Sequence, residues 1–218
     1  MKGLLIKDFR FLLGQQKFFL TVAAIGILFM FLNADPSFAI GYMTVLCSFF
    51  TISTISYDEF DNGMAFLMTL PFERKRYVQE KYLFGILCAL FADVVSVLAA
   101  IVYLFFMQST TNWMKAVLTG IVMLGMVLLF LMVSIPIEIK FGVEKGRIAM
   151  FLVYGIIFLG IFIIGMLLAK MNVDMEMLLV NIMQMKRSML ILAAVLFLGV
   201  AGVISYFLSV RFIEKKEF

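Results

Sequence analysis

The stretch AVLTGIVMLGMVLLFLMVSIPI, residues 116–137, decides the class of fold. It contains no Asp, Glu, Lys or Arg, and a helix of this length, rising about 1.5 Å per residue, crosses the roughly 30 Å hydrocarbon core of a bilayer. Further long apolar runs lie at residues 18–33, 37–56, 82–107, 148–169 and 188–210. The pattern predicts an all-α integral membrane protein with six transmembrane helices, in one domain that covers residues 1–218.

The overall composition indicates that a bilayer, not water, is the solvent of these helices. Hydrophobic residues make up 64% of the chain, against roughly 45–50% in soluble domains, and the mean hydropathy is +1.10. The net charge is +4, and the charged residues lie in short clusters beside the apolar runs. Cations in this arrangement orient membrane segments, so no nucleic-acid partner is expected.

The placement of Lys and Arg predicts the orientation of the chain. With the N-terminus inside the cell, 14 of the 18 Lys and Arg residues fall in inner segments. Because cytoplasmic loops carry an excess of these residues, both termini are predicted to be cytoplasmic in a multi-pass protein of the cell membrane. The short turn Ala34-Asp35-Pro36 then makes the first two spans a hairpin on the outer side.

The residue types that carry most enzyme chemistry are missing or out of place. The chain has no His, and Cys47 and Cys88 fall inside apolar runs, where a thiol behaves as a small hydrophobe. A P-loop needs the sequence G-x-x-x-x-G-K-[ST] to hold phosphates, and none of the 15 glycines is followed by Lys. We therefore expect no catalytic site, metal site or cofactor in this chain, and no ATPase or hydrolase activity.

The first 17 residues have a polar stripe at helical spacing. Gly3, Lys7, Arg10, Gly14 and Lys17 are separated by alternating steps of four and three residues. This spacing predicts an amphipathic helix at the inner membrane interface, with Lys7, Arg10 and Lys17 facing lipid phosphates. A simple topogenic anchor is the alternative.

Residues 57–81, between the second and third spans, predict a short cytoplasmic helix. Phe60, Met64 and Leu67 recur at i, i+4 and i+7, and Pro71 ends the pattern. The acidic residues at its start suit the positive end of a helix dipole. The mixed apolar and charged surface favours docking of a partner protein, with a solvated linker as the alternative.

Residues 136–147 predict a tight turn between the fourth and fifth spans. Pro136 lacks an N–H and is expected to kink or end the fourth span, while Gly142 and Gly146 permit the turn. The charged residues of this segment alternate in sign. They are expected to pair with one another or with a partner, or, alternatively, to snorkel and remain solvated.

Three strings of residues point to a family. The first is Ser56-Tyr57-Asp58-Glu59 with Asn62, Thr69-Leu70-Pro71, Arg74-Lys75, Tyr77-Val78 and Lys81-Tyr82. The second is Pro136-Ile137-Glu138-Ile139-Lys140-Phe141-Gly142-Val143-Glu144-Lys145-Gly146-Arg147, and the third is the opening Leu4-Leu5-Ile6-Lys7-Asp8. Together they resemble ABC-2-type transporter permeases of the small bacterial six-span type, which include permeases of the phenol-soluble-modulin peptide exporter.

The resemblance implies a single ABC-2-type transmembrane domain over residues 1–218 in the bacterial cytoplasmic membrane. The loop between spans two and three would be a coupling helix that fits a groove on a separate ATP-binding-cassette ATPase, which holds ATP and Mg. Two ATPases and two permeases, identical or similar, would export hydrophobic or amphipathic peptides of the toxin or antimicrobial type. Toxin self-immunity and drug efflux would use the same framework.

The coupling role implied by the resemblance is carried over to particular residues of the two cytoplasmic strings. The expected ATPase-coupling residues are Tyr57, Asp58, Glu59, Asn62, Met64, Leu67, Arg74, Lys75, Glu144, Lys145 and Arg147.

Asp93 lies near the middle of the third span. A carboxylate at that depth is expected to face other helices or a cavity. There it would bind a cationic part of a substrate, carry protons, or remain protonated and hydrogen bonded to Ser96, Ser53 or another polar group of the bundle.

The outer segment at residues 170–187 contains five Met residues among apolar neighbours. Thioethers bind Cu(I), but the interleaved apolar residues favour a short outer helix before the sixth span. The family that the chain resembles often carries an outer helix at this place.

Of three other functions, a hydrolase fits the sequence least. A proton-coupled secondary carrier would use Asp93 as its relay and would need no ATPase. An intramembrane aspartyl hydrolase needs two facing carboxylates, and only Asp93 is deeply placed. A scaffold or sensor subunit that transports nothing is the third alternative.

Overall fold

A computed structural model describes residues 2–32, 36–60, 63–107, 113–170 and 187–216. All regular structure in these residues is helical, which confirms the all-α prediction. In chain order the helices are α1 (Lys2–Gly14), α2 (Gln16–Leu32), α3 (Ser37–Glu59), α4 (Gly63–Thr69), α5 (Arg74–Phe106), α6 (Trp113–Lys170) and α7 (Arg187–Lys215). Asn62 and residues 171–186, which include the Met residues of the outer segment, lie outside the described residues.

Among the described residues, four helices are long and apolar enough to cross a membrane, namely α3, α5, α6 and α7. The helices α1 and α2 meet the same criteria of length and apolar composition only when they are counted as one broken span. They are bent by 62° at the break between them, and with this pair the number of candidate spans is five. Helix α6 is 58 residues long. If it were straight, it would measure about 87 Å, nearly three times the thickness of the hydrocarbon core.

Helix α6 is in fact a hairpin that reverses at Gly142, where φ is 71° and ψ is −173°. The hydroxyl groups of Ser134 and Tyr154 are hydrogen bonded at 2.9 Å, and Tyr154 donates to the carbonyl of Phe130 at 3.2 Å. In a straight helix, residues 134 and 154 would lie about 30 Å apart. These bonds therefore require two arms that pack side by side. The first arm is residues 113–141, and the second arm is residues 143–170.

The position of this reversal agrees with the turn expected at Gly142 and decides against an end of the fourth span at Pro136, one of the two outcomes expected there. Helical geometry continues through Pro136, and the backbone departs from it only at Gly142. Glycine adopts positive φ at little cost, whereas a helix tolerates the missing N–H of proline when neighbouring helices support it. The turn glycine, not the proline, sets where the chain reverses.

The connection between the second and third predicted spans is also shorter than expected. Helix α3 continues to Glu59 and α5 begins at Arg74. Asp58 therefore belongs to the last turn of α3, and Lys81 belongs to the second turn of α5. Only residues 60–73, with α4 near their centre, connect the two helices.

A core of buried side chains joins α3, α5, the first arm of α6 and the end of α7. Members that are at most 1% exposed include Ile55, Tyr77, Val78, Ile135, Ile139 and Ile213. Hydroxyl groups add directional contacts between the same helices. The Tyr82 hydroxyl of α5 is hydrogen bonded to Ser209 of α7 at 2.9 Å and to Ser205, which in turn donates to the carbonyl of Met132 in α6.

Helix α2 packs against α3 as its antiparallel neighbour. The ring of Phe29 contacts the rings of Phe38 and Tyr42, with centroids 5.0 and 5.4 Å apart. Farther from the connection, Gly26 lies against the side chain of Met43. This packing agrees with the hairpin predicted for the first two spans, and its location on the outer side stays a prediction.

Gly85 of α5 lies where three helices approach closely, and it provides a test of this packing. A Cβ at this position would be 3.1 Å from Thr51 of α3 and 3.3 Å from Leu131 of α6. We expect Gly85→Leu to lower the free energy of unfolding by about 1–3 kcal/mol, because overpacking forces side chains and backbone to shift. Gly199→Leu is the matched control, because Gly199 is an exposed residue of α7 at which an added Cβ would meet no neighbouring atom within 4 Å. Thermal unfolding in detergent compares the two variants, and equal melting temperatures would contradict the close approach.

Candidate functional site

A fully buried lysine joins three helices at one end of the bundle. The side chain of Lys81 in α5 is 0% exposed, and its Nζ lies 2.5 Å from Asp8 Oδ2 of α1 and 2.7 Å from Asp58 Oδ2 of α3. The same Nζ donates to Thr54 Oγ1 at 3.3 Å. An ammonium group withdrawn from water requires compensation of this kind from opposite charges and hydrogen bonds.

Further polar groups complete what we call the Lys81 cluster, which comprises Lys7, Asp8, Thr54, Asp58, Tyr77, Glu80 and Lys81. Lys7 pairs with Asp58 and lies 3.2 Å from Asp8. Tyr77 donates to Asp58 Oδ2 at 3.1 Å, and Glu80 Oε2 is 3.8 Å from Lys81 Nζ. Three carboxyl groups therefore surround two ammonium groups, and the N-terminal helix is tied to α3 and α5.

Two residues expected on other surfaces of the protein, Lys7 and Asp58, lie in this cluster. Lys7, predicted to face lipid phosphates, contacts Asp8 and Asp58, whereas Arg10 and Lys17 are exposed. Asp58, predicted to couple with an ATPase, is 5% exposed. The reason is that α3 continues for one more turn, which directs Asp58 toward α1 and α5.

A cavity of about 430 Å³ opens beside the Lys81 cluster, between α1, the end of α3 and α4. Lys7, Asp8 and Asp58 form its polar side, and aromatic residues that include Phe11 and Phe66 form its apolar side. The cavity therefore has one charged side and one aromatic side.

The remaining residues predicted to couple with an ATPase differ in exposure. Met64 is 3% exposed, and Glu59, Leu67 and Arg74 are half-buried. The exposed members are Tyr57, Lys75, Glu144, Lys145 and Arg147.

Sequence reasoning misses the most exposed apolar residue of α4. Phe66 is 69% exposed, and Leu70, just after the helix, is 40% exposed. The expected apolar edge of Phe60, Met64 and Leu67 assumes a helix that includes Phe60. Helix α4 begins at Gly63, so Phe60 is not part of it; Met64 and Leu67 pack against the core, and Phe66 faces away from it.

Glu59, in the last turn of α3, contacts two distant parts of the chain. Its Oε2 accepts a hydrogen bond from the Val143 N–H at 2.8 Å, and its Oε1 pairs with Lys216 Nζ at 2.6 Å. Lys216 Nζ also donates to the carbonyl of Ile139 at 3.1 Å. One turn earlier, the Ser56 hydroxyl donates to Glu138 Oε1 at 2.5 Å. We call this set the Glu59 junction, which comprises Ser56, Glu59, Glu138, Ile139, Val143 and Lys216.

Arg74, at the first position of α5, holds the C-terminal end of α7. Its guanidinium donates to the carbonyls of Ile213, Glu214 and Lys216 at 3.0, 3.0 and 3.1 Å. The last carbonyls of a helix have no partner within the helix, so a cation at this place stabilises them. Arg74 therefore acts as a cap for α7 within this chain.

Asp93 is 8% exposed and lies among small polar groups of α3 and α5. The Thr44 hydroxyl is 3.5 Å from Asp93 Oδ1 and 3.3 Å from the Ser96 hydroxyl. A Cβ on Gly120 of α6 would lie 3.2 Å from Asp93 Oδ2. Of the two residues named as possible partners of Asp93, Ser96 belongs to this group, whereas Ser53 is exposed and donates to the carbonyl of Phe49. Thr44 is the other polar group of the bundle that lies close to Asp93. Among the described residues, no group of three or more Cys, Asp or Glu side chains is arranged to hold a metal ion.

The long apolar helices of the described residues define an integral membrane protein. A family model described as ABC-2 family transporter protein matches residues 3–214. The chain therefore belongs to the ABC-2 transporter family. Comparison with curated proteins and with solved structures gives no match.

Loss of the Lys81 ammonium tests the importance of the cluster. We expect Lys81→Met to lower the free energy of unfolding by about 3–5 kcal/mol, because it leaves the carboxylates of Asp8 and Asp58 buried with less compensation. Lys75→Met, on the same helix, removes a pair with Glu214 at 3.7 Å in which both side chains are about half exposed. This control should cost about 1 kcal/mol or less. Thermal unfolding that shifts equally in both variants would contradict a special role of the buried cluster.

Proposed function

We propose that this chain is the permease subunit of an ABC exporter that moves hydrophobic or amphipathic peptides out of a bacterial cell. A separate ATP-binding-cassette ATPase, which binds ATP and Mg, drives the transport. Membership of the ABC-2 transporter family supports the class. The observation that carries the proposal is α4, a short helix between two long apolar helices that presents the exposed aromatic side chain of Phe66.

The proposed topology has six spans and two cytoplasmic termini. The spans are α2, α3, α5, the two arms of α6, and α7. Helix α1, bent by 62° from α2, lies toward the membrane plane, with Arg10 and Lys17 near lipid phosphates. In this orientation α4, the Gly142 turn and the end of α7 all face the cytoplasm. The reversal of α6 supports this count, because it divides one long helix into two arms of spanning length.

The proposed ATPase-docking surface has one part on each cytoplasmic connection. The first part is apolar and aromatic, with Tyr57, Phe60, Phe66 and Leu70 exposed by 62%, 66%, 69% and 40%. The second part is charged and consists of the exposed residues Glu144, Lys145 and Arg147. Anchoring aromatic residues surrounded by charges are typical of protein interfaces. Asp58 and Met64, which are buried, contribute by holding α4 in place.

The exposed apolar faces of the helices support two parts of the proposal. One is pairing with a second permease, and the other is an apolar path for the cargo. In the second arm of α6, Phe151 is 83% exposed and Phe158 is 70% exposed. Both lipid and a second permease, identical or similar, can cover such a face. The chain also contains 18 Met residues, whose flexible side chains adapt to varied apolar partners such as amphipathic peptides. Its 25 Phe residues add further apolar surface.

Truncation of Phe66 tests the docking surface. We expect Phe66→Ala to weaken binding of the ATPase that co-purifies with the wild-type chain by about tenfold or more, because aromatic anchors dominate interface energies. Phe106→Ala, at the far end of α5 with a comparable exposure of 76%, is the control and should bind normally. Titration of the purified subunits measures the affinity. Unchanged binding of Phe66→Ala would contradict this site, and a wild-type chain that binds no ATPase would contradict the proposed function.

A transport assay separates the exporter from a proton-coupled carrier. In proteoliposomes that contain the permease and its ATPase, peptide movement should require ATP and persist without a proton gradient. We expect Asp93→Asn to retain transport within about twofold, because asparagine keeps an acceptor for the Thr44 hydroxyl. Transport that survives without ATP, stops when the gradient is dissipated and is lost in Asp93→Asn would instead identify a carrier.

A further inference from the structure

The two parts of the proposed docking surface are far apart in sequence but share one connection, the Glu59 junction. Glu59 immediately precedes the connection that carries α4. Val143, whose N–H donates to Glu59 at 2.8 Å, immediately precedes the exposed residues Glu144 and Lys145. A single carboxylate therefore links the aromatic part of the surface to its charged part.

Two glycines make room for the carboxylates of this junction. A Cβ on Gly142 would overlap the carboxylate of Glu59, and a Cβ on Gly146 would lie 2.6 Å from Glu138 Oε2. The positive φ of Gly142 already favours glycine at that position. Gly146 has no positive φ, so the nearby carboxylate is what leaves no space for a side chain. The turn is thus shaped around the two acidic residues that reach it from α3 and the first arm of α6.

The junction also includes the C-terminal end of the described chain. Lys216 Nζ lies 2.6 Å from Glu59 Oε1 and 3.1 Å from the Ile139 carbonyl. The Glu59 and Lys216 side chains are 25% and 21% exposed, so water screens this ion pair less than it screens a surface pair. The end of α3, the Gly142 turn and the end of α7 are held at one point.

We propose that Glu59 is a positioning residue that makes α4 and the Gly142 turn move as one unit when the ATPase acts on either of them. This inference rests on the proposed function for the identity of the partner. It adds that the two cytoplasmic connections are not independent contacts, and that the carboxylate of Glu59 transmits movement between them without touching cargo or nucleotide.

The first experiment uses the isolated permease in detergent and needs no ATPase. Hydrogen exchange at the Val143 amide should be about tenfold faster in Glu59→Ala, because the amide loses a charge-assisted hydrogen bond. Glu59→Gln keeps an oxygen acceptor and should stay within about twofold of the wild type. If the alanine variant does not fold, Glu59→Ser, whose side chain is too short to reach Val143, replaces it. Equal exchange rates in wild type and Glu59→Ala would overturn the inference, whatever the partner is.

The second experiment uses the complex with the co-purified ATPase, with and without ATP. In the wild type and in Glu59→Gln, exchange in residues 63–70 and in residues 139–147 should change together when ATP is added. In Glu59→Ala the ATPase should still bind, but only one of the two segments should respond. Joint responses in all three proteins would overturn the coupling role. Failure of the wild-type chain to bind any ATPase would instead count against the proposed function, and the first experiment would remain decisive for the junction.

Discussion

The arrangement of the end of the bundle where α1, α3 and α5 meet depends on how a fully buried ammonium group is compensated. Lys81 has no access to water, and a lysine in that state is tolerated only when opposite charges and acceptors surround it. Asp8 and Asp58 supply the charges from two other helices. None of the three helices can move far from the others without leaving a charge unpaired, so the cluster fixes their relative positions more strictly than apolar contacts alone.

The polar contacts and the apolar contacts contribute to this structure in different ways. Side chains such as Ile135 and Ile213 bury surface without choosing one register over another, because apolar contact has little directionality. The Lys81 cluster, the Glu59 junction and the Arg74 cap have defined donors and acceptors, and they lie at the ends of helices that the apolar core joins. Together they make one end of the bundle a rigid platform, and this platform is where the proposed docking surface lies.

The sequence predicts the helices well and their polar contacts poorly, for a physical reason. Apolar runs and the glycines of the α6 reversal are local signals, so the long helices, the first hairpin and the turn near Gly142 follow from them. The pairing of Lys81 with Asp8 spans 73 residues and that of Lys216 with Glu59 spans 157, and no local pattern encodes such distances. The one available signal is that Asp8, Asp58 and Lys81 all flank predicted spans on the same side of the membrane. Without knowledge of the pairs, the residues around Asp58 and Arg74 look like solvated loop, so the sequence alone gives no sign that α3 and α5 extend beyond their apolar spans.

The order in which a ribosome makes this chain gives the Lys81 cluster a consequence for biogenesis. Asp8 and Asp58 leave the ribosome before Lys81 does, and of the two ammonium groups in the cluster only that of Lys7 emerges ahead of them. Until α5 emerges, the carboxylates of Asp8 and Asp58 lack one of the two ammonium groups that compensate them in the folded chain. A nascent chain that stops before residue 81 therefore lacks the charge that ties α1, α3 and α5 together.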